Sequence, residues 1–181
     1  MGGWMVGVLV QTNFGGILTI NGAPVGRELD TYYLRNRLSD QEAGSCMIVV
    51  ATDAPLLSRN LRRLASRAIL GLARCGGFCG NGSGDYVIAF STRPECRIPY
   101  VSSDAVQKVE EVRNDHMSPL FLAVVEATEE AVINSLFQAE TMRGYRGRTG
   151  EALPIQEAIS VCKKYNALYQ ARRLSPGKWD E

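Results

Sequence analysis

Six consecutive uncharged residues, Cys46-Met47-Ile48-Val49-Val50-Ala51, constrain this chain more than any other stretch. The run is too short for a helix that buries one stripe, and β-branched residues sit at its centre, so it reads as a strand covered on both faces. A polar loop ending at Gly44 leads into it, and Thr52-Asp53-Ala54-Pro55 leads out towards a helix. Ser45 therefore opens the strand with a glycine carbonyl directly behind it. A serine so placed can turn its hydroxyl onto the Gly44 carbonyl, shift the acyl group from nitrogen to oxygen and let water cut the ester. The α-amine so freed, with a reference pKa of roughly 7.7–8.0, can act as general base for the same hydroxyl. Taken alone, the two residues read first as a small residue opening a strand after a loop.

The rest of the chain supplies a frame for such a strand. Met5 to Gln11 reads as a first strand and Ile17 to Ile20 as a second, separated by the turn Asn13-Phe14-Gly15-Gly16. From Arg27 to Ala43 neither period is clear, and long connections of this kind are usually functional or mobile. After the central strand, Leu57, Leu61, Leu64, Ala68 and Leu72 form one helical stripe, capped by Asp53 or Ser58 and stopped at Gly76-Gly77. Arg59, Arg62, Arg63 and Arg67 fall off that stripe and read as a solvated face. A glycine-rich segment, Gly76 to Asp85, precedes a strand from Tyr86 to Ser91; without a following Gly-Lys-Ser/Thr and a helix it is no phosphate-binding loop. Between Ser102 and Asp115 the chain is polar, with room for a short helix. Ser118-Pro119 starts a long helix expected to reach about Thr141, and a last helix runs from Ile155 to roughly Tyr165, before a frayed tail after Arg172.

Composition narrows the function classes. In 181 residues, 20 Lys and Arg against 19 Asp and Glu give a net charge of +1, so no global field points to nucleic acid or to a membrane surface. Five cysteines suit a reducing, cytoplasmic setting better than a disulfide framework, and a single histidine, His116, leaves few partners for a metal. Neither metal nor cofactor is expected. The start of the chain has no basic segment ahead of its apolar run, and that run is too short to span a bilayer.

Four stretches, taken together and in this order, resemble the self-processing aminopeptidases of the DmpA type, the L-aminopeptidase/D-esterase and β-aminopeptidase group. They are Val6-Gly7-Val8-Leu9-Val10-Gln11-Thr12-Asn13-Phe14-Gly15, Gly44-Ser45 with Ile48 to Leu56, Asn81-Gly82-Ser83-Gly84-Asp85 before Ala89-Phe90-Ser91-Thr92, and the helical segment from Pro119 to Met142. The resemblance implies an α/β (α+β) fold, an α-β-β-α sandwich of the N-terminal-nucleophile kind, here in part. It implies cleavage between Gly44 and Ser45, after which Ser45 attacks small peptides, aminoacyl amides or esters and releases their N-terminal residue. Carried over by motif, Asn13 donates to the oxyanion, Ser83 bonds the Ser45 hydroxyl or amine, and Asp85, where the family often has glutamate, holds the ammonium.

The resemblance also implies roughly as much chain again before the Val6 strand. Residues 1–181 accordingly read as one domain, the C-terminal portion of such an enzyme, partnered by a missing N-terminal half or by further copies in a homo-oligomer. The competing expectation is an inactive remnant, or half of a split enzyme, that serves only in assembly.

Overall fold

Ser45–Thr52 forms the central strand, β2, of a three-stranded sheet in the computed structural model, which describes residues 3–32, 44–102 and 105–168. On one side β1 (Val6–Asn13) pairs antiparallel, with Val6 opposite Thr52 and Asn13 opposite Ser45. On the other side β3 (Tyr86–Ser91) pairs parallel, with Met47 beside Tyr86 and Thr52 beside Ser91. A parallel neighbour needs a crossover, and α2 (Ser58–Arg74) supplies it between β2 and β3.

The two faces of the sheet differ, which corrects the expectation that β2 is covered on both. Cys46, Ile48, Val50 and Thr52 are buried beneath α2 and the long helix α3 (Ser118–Phe137), in a core completed by Leu64, Leu72, Val124 and Val132. The opposite face carries no layer among the described residues. Leu9, Val49 and Ile88 stand abreast across it, with Leu9 72 % and Ile88 55 % exposed, and Phe90 and Tyr86 are exposed beside them. The layers seen are thus one sheet and one helical cover of an α/β architecture.

A second, smaller core joins α1 (Val25–Glu28) to α4 (Ile155–Lys164) through Ile20, Ala23, Val25, Ala158, Val161 and Cys162. Glu28 locks the pair, accepting from Lys164 Nζ at 2.7 Å and Tyr165 Oη at 2.6 Å. Between α3 and α4 the chain makes an exposed hairpin, β4 (Met142–Arg143) with β5 (Thr149–Gly150).

Several local expectations change. Ile17 to Ile20 does not pair as a strand: the Ile17 and Thr19 amides donate to the Gly76 and Cys75 carbonyls, and Ile20 exchanges hydrogen bonds with Ala23 around the Asn21-Gly22 turn. β1 runs on to Asn13, two residues past Gln11. Asp53 does not cap α2 but accepts the Met5 amide at 2.7 Å, anchoring the start of β1. Ser118 lies inside the first turn of α3, whose N-cap is Met117, and that helix stops at Phe137 rather than Thr141. Among the described residues of Ser102 to Asp115, the helical turn found is the short one at Asn114–His116. The arginines of α2 are not simply solvated: Arg59 and Arg63 both donate to Asn114 Oδ1, and Arg63 and Arg67 stack over Phe121. Most of the Arg27 to Ala43 connection, and the tail after Arg172, lie outside the described residues.

Candidate active site

The beginning of β2 and the loop before β3 converge because the two strands run parallel, so the turn ending at Asp85 is carried to the Ser45 end of the sheet. Asn13 arrives there from the other side, as the last rung of β1. Directly opposed residues of an antiparallel pair send their side chains out on the same face, and for Asn13 and Ser45 that is the open face.

Ser45 Oγ accepts a hydrogen bond from the Gly84 amide at 3.1 Å. Asp85 is bound on both oxygens: Oδ1 accepts the Cys46 amide at 2.8 Å, and Oδ2 accepts Ser83 Oγ at 2.5 Å. The motif reading brings Ser83 to Ser45 directly; the geometry instead links Ser83 to Asp85 and gives the serine hydroxyl a backbone donor. Asp85 in turn grips the amide one residue after Ser45. A carboxylate paired with such donors makes short, charge-assisted bonds.

Space requires one glycine and favours a second. Gly44 has φ +149, and a Cβ on it would lie 2.7 Å from Phe14 Cα and 2.8 Å from the Asn13 carbonyl oxygen. The Gly44–Ser45 peptide is pressed against the end of β1 in a backbone region that side chains rarely adopt. On Gly84, a Cβ would stand 3.1 Å from Ser45 Oγ, so a side chain there would crowd the hydroxyl that the Gly84 amide binds.

Behind Gly44 a small cleft is lined by Phe14, Phe78, Cys79, Ser83 and Asp85, with room for about one water molecule. Two thiols border this region. Burial above all, then the charge of Asp85 and the neighbouring Cys79, pushes the Cys46 thiol up to about 11. Cys79 is an exposed residue, yet partial desolvation of its thiol, followed by a hydrogen bond to Asp85 and that carboxylate's charge, raises it as well. Both stay protonated near neutrality. His116 lies in the turn before α3. Among the described residues no group of three or more His, Cys, Asp or Glu side chains is placed to hold a metal ion, and no helix is long and apolar enough to cross a membrane.

All four side chains that the motifs single out, Asn13, Ser45, Ser83 and Asp85, thus meet at one end of the sheet. The Gly84 amide, the Cys46 amide and Cys79 join them without a motif to announce them. Backbone donors carry no residue-type signal, although the glycine between Ser83 and Asp85 was a hint of close backbone approach.

The model of peptidase family S58 matches residues 1–150. The beta-peptidyl aminopeptidase BapA of Sphingosinicella microcystinivorans is 41 % identical over 182 residues, covering 93 % of this chain and 46 % of that protein. Its namesake from Sphingosinicella xenopeptidilytica is 34 % identical, covering 88 % and 42 %. Among solved structures, the PH0078 protein of Pyrococcus horikoshii OT3 superposes with a TM-score of 0.77 at 42 % identity, over 90 % of this chain and 43 % of the other. The L-aminopeptidase D-Ala-esterase/amidase of Ochrobactrum anthropi, described as a variant of the Ntn hydrolase fold, gives 0.72 at 32 % identity, over 90 % and 48 %. The chain spans less than half the length of these relatives.

Proposed function

The chain belongs to peptidase family S58, and from that membership we propose that it carries the nucleophile of a serine aminopeptidase, Ser45, released by cleavage of the Gly44–Ser45 bond. The observation that carries this reading is the convergence on Ser45: a backbone donor on its hydroxyl, Asn13 directly across the ladder, and a clamped carboxylate on the next amide.

In the uncut chain the Ser45 hydroxyl attacks the Gly44 carbonyl carbon, the C–N bond breaks as nitrogen takes the proton, and an ester links Gly44 to Ser45 Oγ. Water then attacks that carbon, Oγ leaves with a proton, and Ser45 becomes an N-terminus. A serine hydroxyl is a weak nucleophile until a base takes its proton, and the new α-amine is the base nearest to hand. For a substrate the same sequence repeats: the amine takes the Oγ proton, Oγ attacks the acyl carbon, the leaving amine departs with the proton, and water then attacks that carbon, releasing the acid as Oγ regains its proton. Asn13 donates to the developing oxyanion, while Ser83 and Asp85 hold the start of β2 and balance the ammonium. The α-amine must be unprotonated, so turnover falls as pH drops below its reference pKa of roughly 7.7–8.0.

The substrate class is small peptides, amides or esters with a free N-terminal residue, and the beta-peptidyl relatives favour including β-amino acids. The open sheet face needs an apolar cover, taken either from the further chain the relatives carry or from a second copy. Five cysteines, all free thiols, favour the cytoplasm. The test is hydrolysis of α- and β-aminoacyl p-nitroanilides by this chain co-produced with the remaining part of a Sphingosinicella relative. Turnover that Ser45→Ala abolishes supports the reading; turnover that survives Ser45→Ala overturns it.

A further inference from the structure

Two cations and two anions share one groove at the start of α2, and none of them neutralises another. The groove, about 430 Å³ in volume, is lined by Arg59 and Asn60 of α2 and by Glu111, Arg113, Asn114 and Asp115 from the segment leading into α3. Among the described residues no ion pair joins these four charged side chains. Neutral amides hold them apart instead. Asn114 Oδ1 accepts from Arg59 Nη1 at 3.0 Å and from Arg63 Nη1, one turn further along α2, at 2.8 Å. Asn60 Oδ1 accepts from the same two nitrogens at 3.4 and 2.8 Å. Asn60 is only 1 % exposed, and its Nδ2 donates to Glu111 Oε1 at 2.9 Å; the Leu57 amide reaches that same oxygen at 3.3 Å. A buried amide thus stands between guanidinium and carboxylate, oxygen to the cations and nitrogen to the anion. Phe121 steadies the cationic side, with the Arg63 guanidinium 5.0 Å and that of Arg67 4.2 Å from its ring centre.

We propose that this groove binds a zwitterion of amino-acid size, with its carboxylate on Arg59 and Arg63 and its ammonium on Glu111 and Asp115. A guanidinium carries five N–H donors, and in both arginines only Nη1 is engaged by the described residues. The rest of each planar fork is open to a carboxylate, the partner it fits best. On the other side Glu111 uses one oxygen and keeps the second. A ligand of one sign would satisfy one end of the groove and be repelled at the other; a zwitterion meets both. The volume lies within the range of small-molecule sites. The groove adjoins the Thr52 end of β2, a strand of eight residues that spans roughly 25 Å, so it is separate from Ser45 and does not depend on that residue's role.

Free amino acids and short peptides carry the same pair of charges, and four probes tell them from simple ions: alanine, alanylalanine, acetate and ethylamine. Each is titrated calorimetrically, at two temperatures, into the Ser45→Ala chain co-produced with the remaining part of a Sphingosinicella relative; the substitution prevents turnover of the dipeptide. Alanine or alanylalanine is expected to bind at least about tenfold more tightly than acetate or ethylamine, the size of one lost hydrogen bond to a charged group. Tighter alanine identifies a free amino acid and tighter alanylalanine a peptide, and either supports the site. Arg59→Gln and Asp115→Asn, both at exposed positions, should each weaken that binding about tenfold. If Arg59→Gln melts early, Asp115→Asn, which breaks no hydrogen bond among the described residues, decides. Acetate binding as tightly as alanine makes this a plain anion site and overturns the proposal. Binding unchanged in Asp115→Asn places the ligand elsewhere and overturns it too, as does the absence of heat with all four probes at both temperatures.

Discussion

Asp85 ties the residue-scale account together, because one carboxylate fixes two neighbours of the candidate nucleophile. Asp85→Asn keeps one oxygen for the Cys46 amide but turns the other position into a donor, which cannot accept Ser83 Oγ. On the proposed reading Asn13 has a different task, donating to charge that develops only during the reaction. Asn13→Ala is therefore expected to lower turnover about 10²–10³-fold with little change in melting temperature, and Asp85→Asn to slow turnover while circular dichroism stays that of the parent. Should both variants unfold, their roles are structural. Asn13, Ser45, Ser83 and Asp85 could be singled out only through motifs that resemble a family, because turn and strand chemistry alone accounts for each of them. The Gly84 amide and Cys79 were not, since a backbone donor and a left-handed residue leave no mark in residue type.

At the scale of elements, legibility followed period. β2 and β3 are apolar enough to be read directly, as is the stripe of α2, while α3 was announced by Ser118-Pro119 at its start. α1 is four residues long and carries no period, and the β4–β5 hairpin is built from Met, Arg, Thr and Gly. Ile17 to Ile20 looks like a strand by composition, yet its amides find the carbonyls that end α2. The α1–α4 clasp gives a pH-dependent prediction. Lys164 first, then Tyr165, hold the Glu28 carboxyl below its usual 4.5 through hydrogen bonds. A group whose folded pKa is depressed contributes stability above its unfolded pKa and loses it as pH falls through the folded one. The pair is exposed, so the effect is small. Parent and Glu28→Gln should differ slightly in melting temperature at pH 6 to 8 and converge below about pH 4, the reference range of a glutamate. A difference that stays constant down to pH 3 contradicts the clasp.

In the described residues the three-stranded sheet carries helices on one face, and its other face leaves Leu9, Ile88 and Phe90 exposed. Exposed apolar patches beyond a few hundred Å² favour association. The chain by itself is expected to bind a hydrophobic dye and to run larger than a monomer, and Leu9→Ser with Ile88→Ser should reduce both without loss of helix content. A monodisperse parent that binds no dye contradicts an interface on this face. That open face ends at Asn13 and Ser45, so whatever covers it also closes over the candidate nucleophile. The most direct measurement is then the intact mass and N-terminal sequence of the chain, alone and co-produced with the remaining part of a Sphingosinicella relative. The account predicts fragments of 44 and 137 residues, the larger beginning Ser-Cys-Met-Ile, and no cut in Ser45→Ala; a chain left whole under both conditions, or cut equally well in Ser45→Ala, would contradict it.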